Sequence, residues 1–473
     1  MSEVPHGQQS PLRHSLRLIV IAWVFGAGWM YITTGAALTQ FAKLLGMPKF
    51  GFGILAAIPF ASALVQLPTS YFIARYGHRK GFFITTGVIH RALWAVVAFI
   101  PWLLPKAMQW QGFLMVIGVS WVFGQMPVPI WVSWMADLVP ASIRGRYFSR
   151  RSQIGQVIGL VVTIGVGMVL DRSGVIGTQA LLRTAAIALT VGGLLGSIDF
   201  LFFMPVAEIN RPKPNPTTSL GQIVHEPLRD RNFWKFLGFT ATLTFSVGYV
   251  NQFIWLYLFD VAGMSNTRAN TMLVSVPLVI FLVCYPIWGR LTDRFGRKPI
   301  LIIAGLLFTP GAVAWIFVTK QHWVAGYVVA MIATAAWPGI DVANFNILLK
   351  LSEATDGSKG TRGYVAVNSA VAALAGILSG LFGGVVAEWL GDWTGSIAGW
   401  PLTYHGVLFI ISTGVRLLAV VWVIDLVDDG AATPRIALRY MGTNLYSNLQ
   451  QVVYIPGRLL SQIGRWTYKL KTK

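Results

Sequence analysis

Ionisable and amide side chains inside long apolar stretches are the residues of this chain whose types could do chemistry. Asp341 lies in the segment WPGIDVANFN, and Asn344 follows three residues later on the same face of a helix. Pro338 and Gly339 are expected to loosen that helix just before Asp341. A carboxylate at membrane depth is costly and marks a substrate or proton pathway by default. We therefore predict a binding or proton-transfer role for Asp341 and Asn344, with a structural salt bridge as the alternative.

Amide and aromatic side chains occur together in two other apolar stretches. Asn251 and Gln252 precede Trp255, and Asn251 and Trp255 are one helical turn apart. Trp121 and Gln125 form a similar pair in the first half of the chain. Amides beside aromatic rings suit the wall of a cavity that binds a small solute. Packing or anchoring at the membrane interface is the alternative for each aromatic residue.

Three further charges, Arg91, Asp199 and Arg416, lie inside apolar stretches. Asp199 and Arg416 are 217 positions apart, at nearly equivalent places in the two halves of the chain. We interpret all three as structural residues that form buried ion pairs or hydrogen bonds between helices.

Motifs of enzymes and metal sites are missing from the sequence. It has no phosphate-binding P-loop and no G-x-S-x-G nucleophile elbow. The single cysteine, Cys284, excludes an intramolecular disulfide and a cysteine-based metal site. We predict no enzymatic activity, no cofactor and no metal.

The composition is that of an integral membrane protein. Of the 473 residues 55% are hydrophobic and only 11% are charged, and the mean hydropathy is +0.62, whereas soluble domains have about 25% charged residues. The apolar stretches are too long and too uniform for the strands of a barrel, so the spans are helices. Twelve spans are predicted, at 16–39, 50–74, 81–104, 112–135, 153–171, 180–204, 233–260, 269–290, 299–319, 323–349, 364–390 and 402–425.

Basic residues predict the orientation of these spans. Of the 37 Lys and Arg residues, 28 lie on the side of the N-terminus, six on the opposite side and three within spans. Because cytoplasmic loops retain positive charge, both termini are expected to be cytoplasmic. This distribution also explains the net charge of +20 without a nucleic-acid partner. We expect the basic loops and tail to contact anionic lipids.

Two loops are repeated in the two halves of the chain. The segment GRLTDRFGRKP begins at Gly289, and SYFIARYGHRK begins 219 positions earlier at Ser70. Arg144 and Gly145 recur 218 positions later as Arg362 and Gly363, each pair just before a span. Two repeats in one frame indicate two related halves of six spans each.

At these residues the chain resembles the major facilitator superfamily, whose signature is G-x-L-x-D-R-x-G-R-K. The matching residues are Gly289, Leu291, Asp293, Arg294, Gly296, Arg297 and Lys298. The first copy departs from the signature at Ser70, Ala74 and His78.

The resemblance implies an all-α polytopic membrane protein with twelve transmembrane helices in two pseudo-symmetric six-helix bundles. Spans 1, 4, 7 and 10 would line a central cavity. The signature loop would gate the cytoplasmic side, with Asp293 paired to Arg297 or facing the N-terminus of a neighbouring helix. A plain turn with no gating role is the alternative.

The predicted organisation has five parts: a cytoplasmic tail (1–15), two bundles (16–204 and 233–425), a linker (205–232) and a basic tail (426–473). The resemblance implies a secondary active transporter of a small solute, working by alternating access. We expect a monomer in a bacterial inner membrane, with coupling to protons, coupling to sodium and facilitated diffusion all left open. A transport-inactive receptor or regulatory protein of the same fold is the alternative function.

Overall fold

The computed structural model describes residues 6–77, 79–208, 227–353 and 357–443. The first half consists of α1 (His6–Thr33), α2 (Ala36–Leu44), α3 (Lys49–Ala63), α4 (Gln66–Tyr76), α5 (Arg79–Leu103), α6 (Gln109–Gln125), α7 (Pro127–Leu138), α8 (Ala141–Ile176) and α9 (Thr178–Leu201). The second half consists of α10 (Arg231–Asp260), α11 (Asn266–Asn270), α12 (Val276–Phe295), α13 (Arg297–Phe308), α14 (Pro310–Val313), α15 (Ala325–Glu353), α16 (Gly357–Leu390), α17 (Tyr404–Ile424) and α18 (Pro434–Thr443). A π-helical turn at Thr271–Ser275 joins α11 to α12.

The described residues contain eleven helical segments that are long and apolar enough to cross a membrane. The helix α10 corresponds to the remaining predicted span and is 30 residues long, about 45 Å at 1.5 Å per residue. It is not among the eleven, and it contains the polar pair Asn251 and Gln252. The predicted all-α polytopic fold is confirmed.

Proline explains why several spans consist of two helices in line. The breaks between α3 and α4, α6 and α7, and α13 and α14 are each followed closely by a proline, at Pro68, Pro127 and Pro310. Proline lacks an N–H donor, and its ring clashes with the preceding helical turn. The chain therefore bends at these points while continuing across the membrane.

A short β-hairpin, which the sequence did not lead us to expect, connects α16 to α17. Strand β1 (Thr394–Ile397) pairs antiparallel with β2 (Trp400–Thr403), in register Thr394 with Thr403. The two turn residues, Ala398 and Gly399, have φ angles of 49° and 82°, as a tight hairpin turn requires.

The bundle has two ends, which we name by their residues. The terminal face contains Arg79 and Asp428 and lies at the end where the described chain begins and finishes. The far face contains Lys43 and Asp260, at the opposite ends of the helices.

Each half has its own hydrophobic core toward the terminal face. One core packs Ile19, Phe83 and Trp134 in the first half, and another packs Phe295 and Ile347 in the second half. A third core mixes residues of both halves, among them Phe41, Trp94, Phe113, Phe253 and Trp255. The two halves therefore share one apolar core near the far face.

Polar contacts between the halves also lie at the far face. The Asn270 side chain is 1% exposed; its Oδ1 accepts from the Ala36 N–H at 2.8 Å, and its Nδ2 donates to the Thr163 carbonyl at 2.9 Å. Lys43 forms an ion pair with Asp260. The hydrogen bonds and ion pairs described between the two halves cluster at this face.

The linker and the C-terminal tail are described only at their edges. The predicted linker (205–232) falls mostly in residues 209–226, which lie outside the described residues, and Pro227–Arg229 forms a 3-10 turn. The tail is described as far as α18, and the remainder of the predicted lipid-contacting segment lies outside the described ranges.

Candidate functional site

Asp341 lies on α15 with its side chain exposed. Its Oδ2 accepts a hydrogen bond of 2.9 Å from the Tyr285 hydroxyl of α12. In the part of the chain that the structure describes, no Lys or Arg nitrogen lies within 4 Å of this carboxylate. The alternative of a structural salt bridge therefore has no partner there, and Asp341 keeps a free oxygen toward the exposed side.

The helix around Asp341 differs from the expectation that Pro338 would loosen it. The helix α15 runs without interruption from Ala325 to Glu353. The indole Nε1 of Trp288 donates to the Ala335 carbonyl at 2.7 Å, so a side chain of α12 bonds to the backbone beside the proline. A Cβ on Gly339 would lie 2.7 Å from the Trp288 ring, so Gly339 permits the close approach of α12.

Asn344 is partly buried, and its Oδ1 is enclosed without a hydrogen-bond partner among the described residues. Buried amide oxygens are normally paired. An unpaired acceptor one helical turn from Asp341 is consistent with the predicted binding role, which stays a prediction.

The expected cavity residues of α10 separate into two environments. Asn251 is exposed, whereas Trp255 is 7% exposed and belongs to the core shared by both halves. The Gln252 Nε2 lies 3.5 Å from the Thr39 hydroxyl of the first half. In this conformation Trp255 and Gln252 contribute to the far-face contact between the halves.

The corresponding pair on α6 is partly buried within the first half. The Gln125 Oε1 accepts from the Gln66 Nε2 at 2.7 Å. The Trp121 ring lies 6.2 Å from the His90 ring. These contacts connect α6 to α4 and α5.

The signature loop between α12 and α13 is held by a residue outside the signature, which was not among the predicted site residues. Asp428 follows α17, and its Oδ2 accepts from the backbone N–H groups of Arg297 and Lys298, both at 3.0 Å. Its Oδ1 accepts from the Lys350 ammonium at 2.9 Å. Asp428 therefore caps the N-terminus of α13, where negative charge is favoured.

The pairing of Asp293 with Arg297 does not occur in this structure. Asp293 is exposed and has no hydrogen-bond or ion-pair partner in the described ranges. The Arg297 guanidinium lies 3.5 Å from Asp428 instead, because the end of α17 brings that carboxylate against the loop. The other expected partner is the start of α16, where the side chains of residues 357–362 are not described.

Other members of the signature have separate structural contacts. Gly296 has a φ of 91°, and a Cβ there would lie 2.6 Å from the Ala431 side chain, so both conformation and space require glycine. Arg294 stacks on the Tyr440 ring at 4.2 Å. Gly289 has open space around it.

The electrostatic surroundings of Asp428 stabilise its ionised form. Burial disfavours the charge, but hydrogen bonds from the Lys298 and Arg297 backbone and from the Lys350 ammonium outweigh this effect. Together they hold the pKa of Asp428 below its usual value.

The second repeated loop is described on one side only. The Arg144 guanidinium donates to the carbonyls of Ala136 at 2.8 Å and Val139 at 3.1 Å, at the C-terminal end of α7. Gly145 has open space around it. The side chain of Arg362 lies outside the described residues, and Gly363 is buried in α16.

The three intramembrane charges are buried. Arg416 donates to the Phe308 carbonyl at 3.0 Å, a hydrogen bond between helices. The Arg91 guanidinium stacks on the Trp29 ring, 3.1 Å from its centroid. No Arg91–Asp199 ion pair within 4 Å is found among the residues described, although the two charges influence each other electrostatically.

Arg151 belongs with these three charges, although it was not among the predicted site residues. It precedes the span predicted at 153–171, but α8 begins at Ala141, so Arg151 lies within this helix. Its guanidinium carbon lies 3.9 Å from the centroid of the Trp23 ring and 5.1 Å from that of Trp131. The sequence signal was an arginine continuous with an apolar helix, near tryptophans of spans 1 and 4.

Asp171 at the far face was also missed as a link between the halves. Its Oδ1 accepts from the Asn266 N–H at 2.7 Å, and its Oδ2 accepts from the Thr267 N–H at 3.0 Å. A carboxylate of α8 thus caps α11 of the other half.

Comparisons with known proteins agree with this architecture. The family model described as the Major Facilitator Superfamily matches residues 18–355. An efflux pump, dotC, of Dothistroma septosporum is 43% identical over 51 residues, which cover 11% of this chain and only 9% of that protein.

Solved transporters share the fold at low sequence identity. A mutant of the nucleoside transporter NupG aligns with a TM-score of 0.66 and 13% identity, over 87% of this chain and 99% of that one. A bacterial homologue of the iron transporter ferroportin aligns with a TM-score of 0.62 and 14% identity, over 88% and 98%. A D-xylose-proton symporter aligns with a TM-score of 0.61 and 17% identity, over 87% and 97%.

Proposed function

Because the chain belongs to the major facilitator superfamily, we propose that it is a secondary active transporter of a small solute. The family match and the apolar helices already make it a multi-pass membrane protein of this superfamily, and its fold is shared with solved transporters. The proposal adds the mechanism, which is alternating access of a site between the two halves.

One observation carries this proposal: the described hydrogen bonds and ion pairs between the halves cluster at the far face. At that face Lys43 pairs with Asp260, and Asn270 bridges Ala36 and Thr163. Contacts confined to one end form a hinge-like closure, which alternates with closure at the other end.

The state follows from the orientation of the chain. With the termini cytoplasmic, as the basic residues predict, the terminal face is cytoplasmic and this conformation is open inward. Asp293 is exposed and has no partner among the described residues, which fits that state, since the expected gate at the signature loop would form when the cytoplasmic side closes.

The solute would bind between the halves, with Asp341 and Asn344 as contributors from the second half. Asp341 presents a carboxylate that is bonded to a neutral hydroxyl, that of Tyr285, rather than to a cation. Such a carboxylate can bind a substrate group or load and release a proton.

The test is flux in proteoliposomes under imposed proton and sodium gradients, screened with labelled sugars, nucleosides, amino acids and organic acids. We expect one class to accumulate in a gradient-dependent way. Binding of a solute without any flux would instead support the transport-inactive receptor.

Alternating access is tested by locking the far face. In a Cys284→Ser background, a reducible bis-methanethiosulfonate cross-linker should join Lys43→Cys to Asp260→Cys across the span of the ion pair and stop transport, and reduction should restore it. Each single cysteine variant is the control. Undiminished flux through the cross-linked double variant would exclude the mechanism.

A further inference from the structure

Arg151 lies beside two aromatic rings, on a helix that is long and apolar enough to cross a membrane. Its guanidinium stacks on Trp23 of α1 at 3.9 Å and lies 5.1 Å from the ring of Trp131 on α7. Ten residues separate it from Ala141, where α8 begins, so it lies about 15 Å along the helix. The cation is therefore fixed by three helices rather than free at the membrane surface.

Two hydrogen-bond donors in this cluster lack acceptors among the described residues. The Arg151 Nε and the Trp23 Nε1 are buried, and neither has a hydrogen-bond partner within the described part of the chain. A buried unpaired donor costs about 1 to 3 kcal/mol. Two such donors in contacting side chains favour a ligand that supplies acceptor oxygens.

The local charge is also unbalanced. Asp199 is the carboxylate whose charge acts on both Arg91 and Arg151. Two guanidinium groups against one carboxylate leave an excess of one positive charge. Arg91 is 9% exposed and stacked on Trp29, whereas Arg151 is only partly buried, so Arg151 is the cation that a solute can reach.

The position of Arg151 along α8 places it on the terminal-face side of the contacts between the halves. This helix contacts the second half through Thr163, Gly167 and Asp171, near its far end. Arg151 precedes Thr163 by 12 residues, about 18 Å toward the terminal face.

We propose that Arg151, with Trp23 and Trp131, binds a negatively charged group of the transported solute, a carboxylate or a phosphate monoester. A guanidinium matches both groups through paired N–H donors. The inference rests on the proposed transport function for its biological meaning, but binding itself can be measured without transport.

The experiment is equilibrium dialysis of the full chain in phosphatidylcholine nanodiscs, with labelled benzoate and labelled phenyl phosphate as probes. At least one should bind, and neutral benzamide should not compete with it. Arg151→Gln should weaken binding at least tenfold, about 1.4 kcal/mol, while Arg151→Lys should lose less. The exposed neighbour gives the matched control: Arg150→Gln removes the same charge and should bind as the unmodified chain does.

Trp23→Phe keeps the aromatic ring, removes its N–H and should also weaken binding, which keeps the test open if Arg151→Gln fails to fold. Discs with added phosphatidylglycerol distinguish the source of the anion, since competition there would identify a lipid headgroup as the occupant. Absence of binding by both anions, equal binding of benzamide, or full affinity in Arg151→Gln would overturn the proposal. Anion binding without flux of any solute would instead refute the transport function and leave this site standing.

Discussion

Asp428 links three segments of the second half at the terminal face. Its side chain accepts hydrogen bonds from the start of α13 and from Lys350 near the end of α15. Asp428 itself belongs to the segment that follows α17. Its side chain is 3% exposed, so a lost hydrogen bond there is not replaced by water. A single carboxylate thus stabilises the signature loop.

We predict that Asp428→Asn destabilises the protein by about 1 to 3 kcal/mol near neutral pH, because charged hydrogen bonds are lost. The lowered pKa of Asp428 means that its contribution is complete above the unfolded pKa of about 3.9 and is lost as pH falls through the folded value. Thermal melts in detergent should therefore differ between the two proteins at pH 7 and converge in acid. The adjacent, exposed Asp429→Asn is the control, and an equal effect of both changes would contradict this role.

Asp341 differs from Asp428 because its described partner is a neutral hydroxyl. Asp341→Asn resembles the protonated carboxyl, so a proton-coupled carrier should lose at least tenfold in gradient-driven accumulation while retaining substrate exchange. The measurement compares both modes in proteoliposomes, with the exposed Asp425→Asn as the control. Unchanged accumulation with unchanged pH dependence would reject the role.

At the scale of elements, α3 and α16 meet at the far face through glycine. A Cβ on Gly53 would lie 2.5 Å from the Cα of Gly384 and 2.5 Å from the carbonyl oxygen of Gly380. Both are backbone atoms, which cannot turn aside as a flexible side chain can. This close contact requires glycine for a steric reason.

We predict that Gly53→Ala separates α3 from α16 and shifts the protein away from the closed far face. The readout is a Thr39→Cys probe in a Cys284→Ser background, since Thr39 is 2% exposed in this conformation. Its reaction with an impermeant maleimide added on the far-face side should become several-fold faster. Gly118→Ala, at a glycine with open space around it, should leave the rate unchanged.

The loop between α12 and α13 is expected to act as a gate through Asp293. Asp293→Asn should reduce transport several-fold, because the expected gate forms only when the terminal face closes. The melting temperature of the conformation described here should stay the same, since Asp293 has no described partner in it. Normal transport by this variant would show that the loop is a turn without a gating role.

The orientation of the whole molecule in the membrane can be tested by cysteine labelling. Cysteine placed at Arg150 or Lys359, with Cys284 replaced by Ser, should react with impermeant reagents only from the cytoplasmic side. Thr394→Cys on the hairpin is the matched control and should react only from outside. The opposite labelling would reverse the assignment and make this conformation open outward.

The class of the protein and its family could be predicted from the amino-acid sequence alone. Long uniform apolar stretches exclude a soluble chain because burial of so much apolar surface requires lipid. The segment from Gly289 to Lys298 identified the family because turn geometry and charge require particular residues there. Sequence patterns of this kind extend over a few residues and can be recognised without knowledge of the fold.

The contacts between side chains that are distant in sequence are shown only by the tertiary structure. Asp428 holds the loop that begins near Asp293, although 135 positions separate the two carboxylates, and Arg151 stacks on tryptophans of two other helices. Asp171 caps a helix of the opposite half for the same reason. Such contacts depend on how helices pack and on which end of the bundle is closed. The sequence alone shows neither the helix packing nor the closed end, so the partners of these charges could be identified only in the three-dimensional structure.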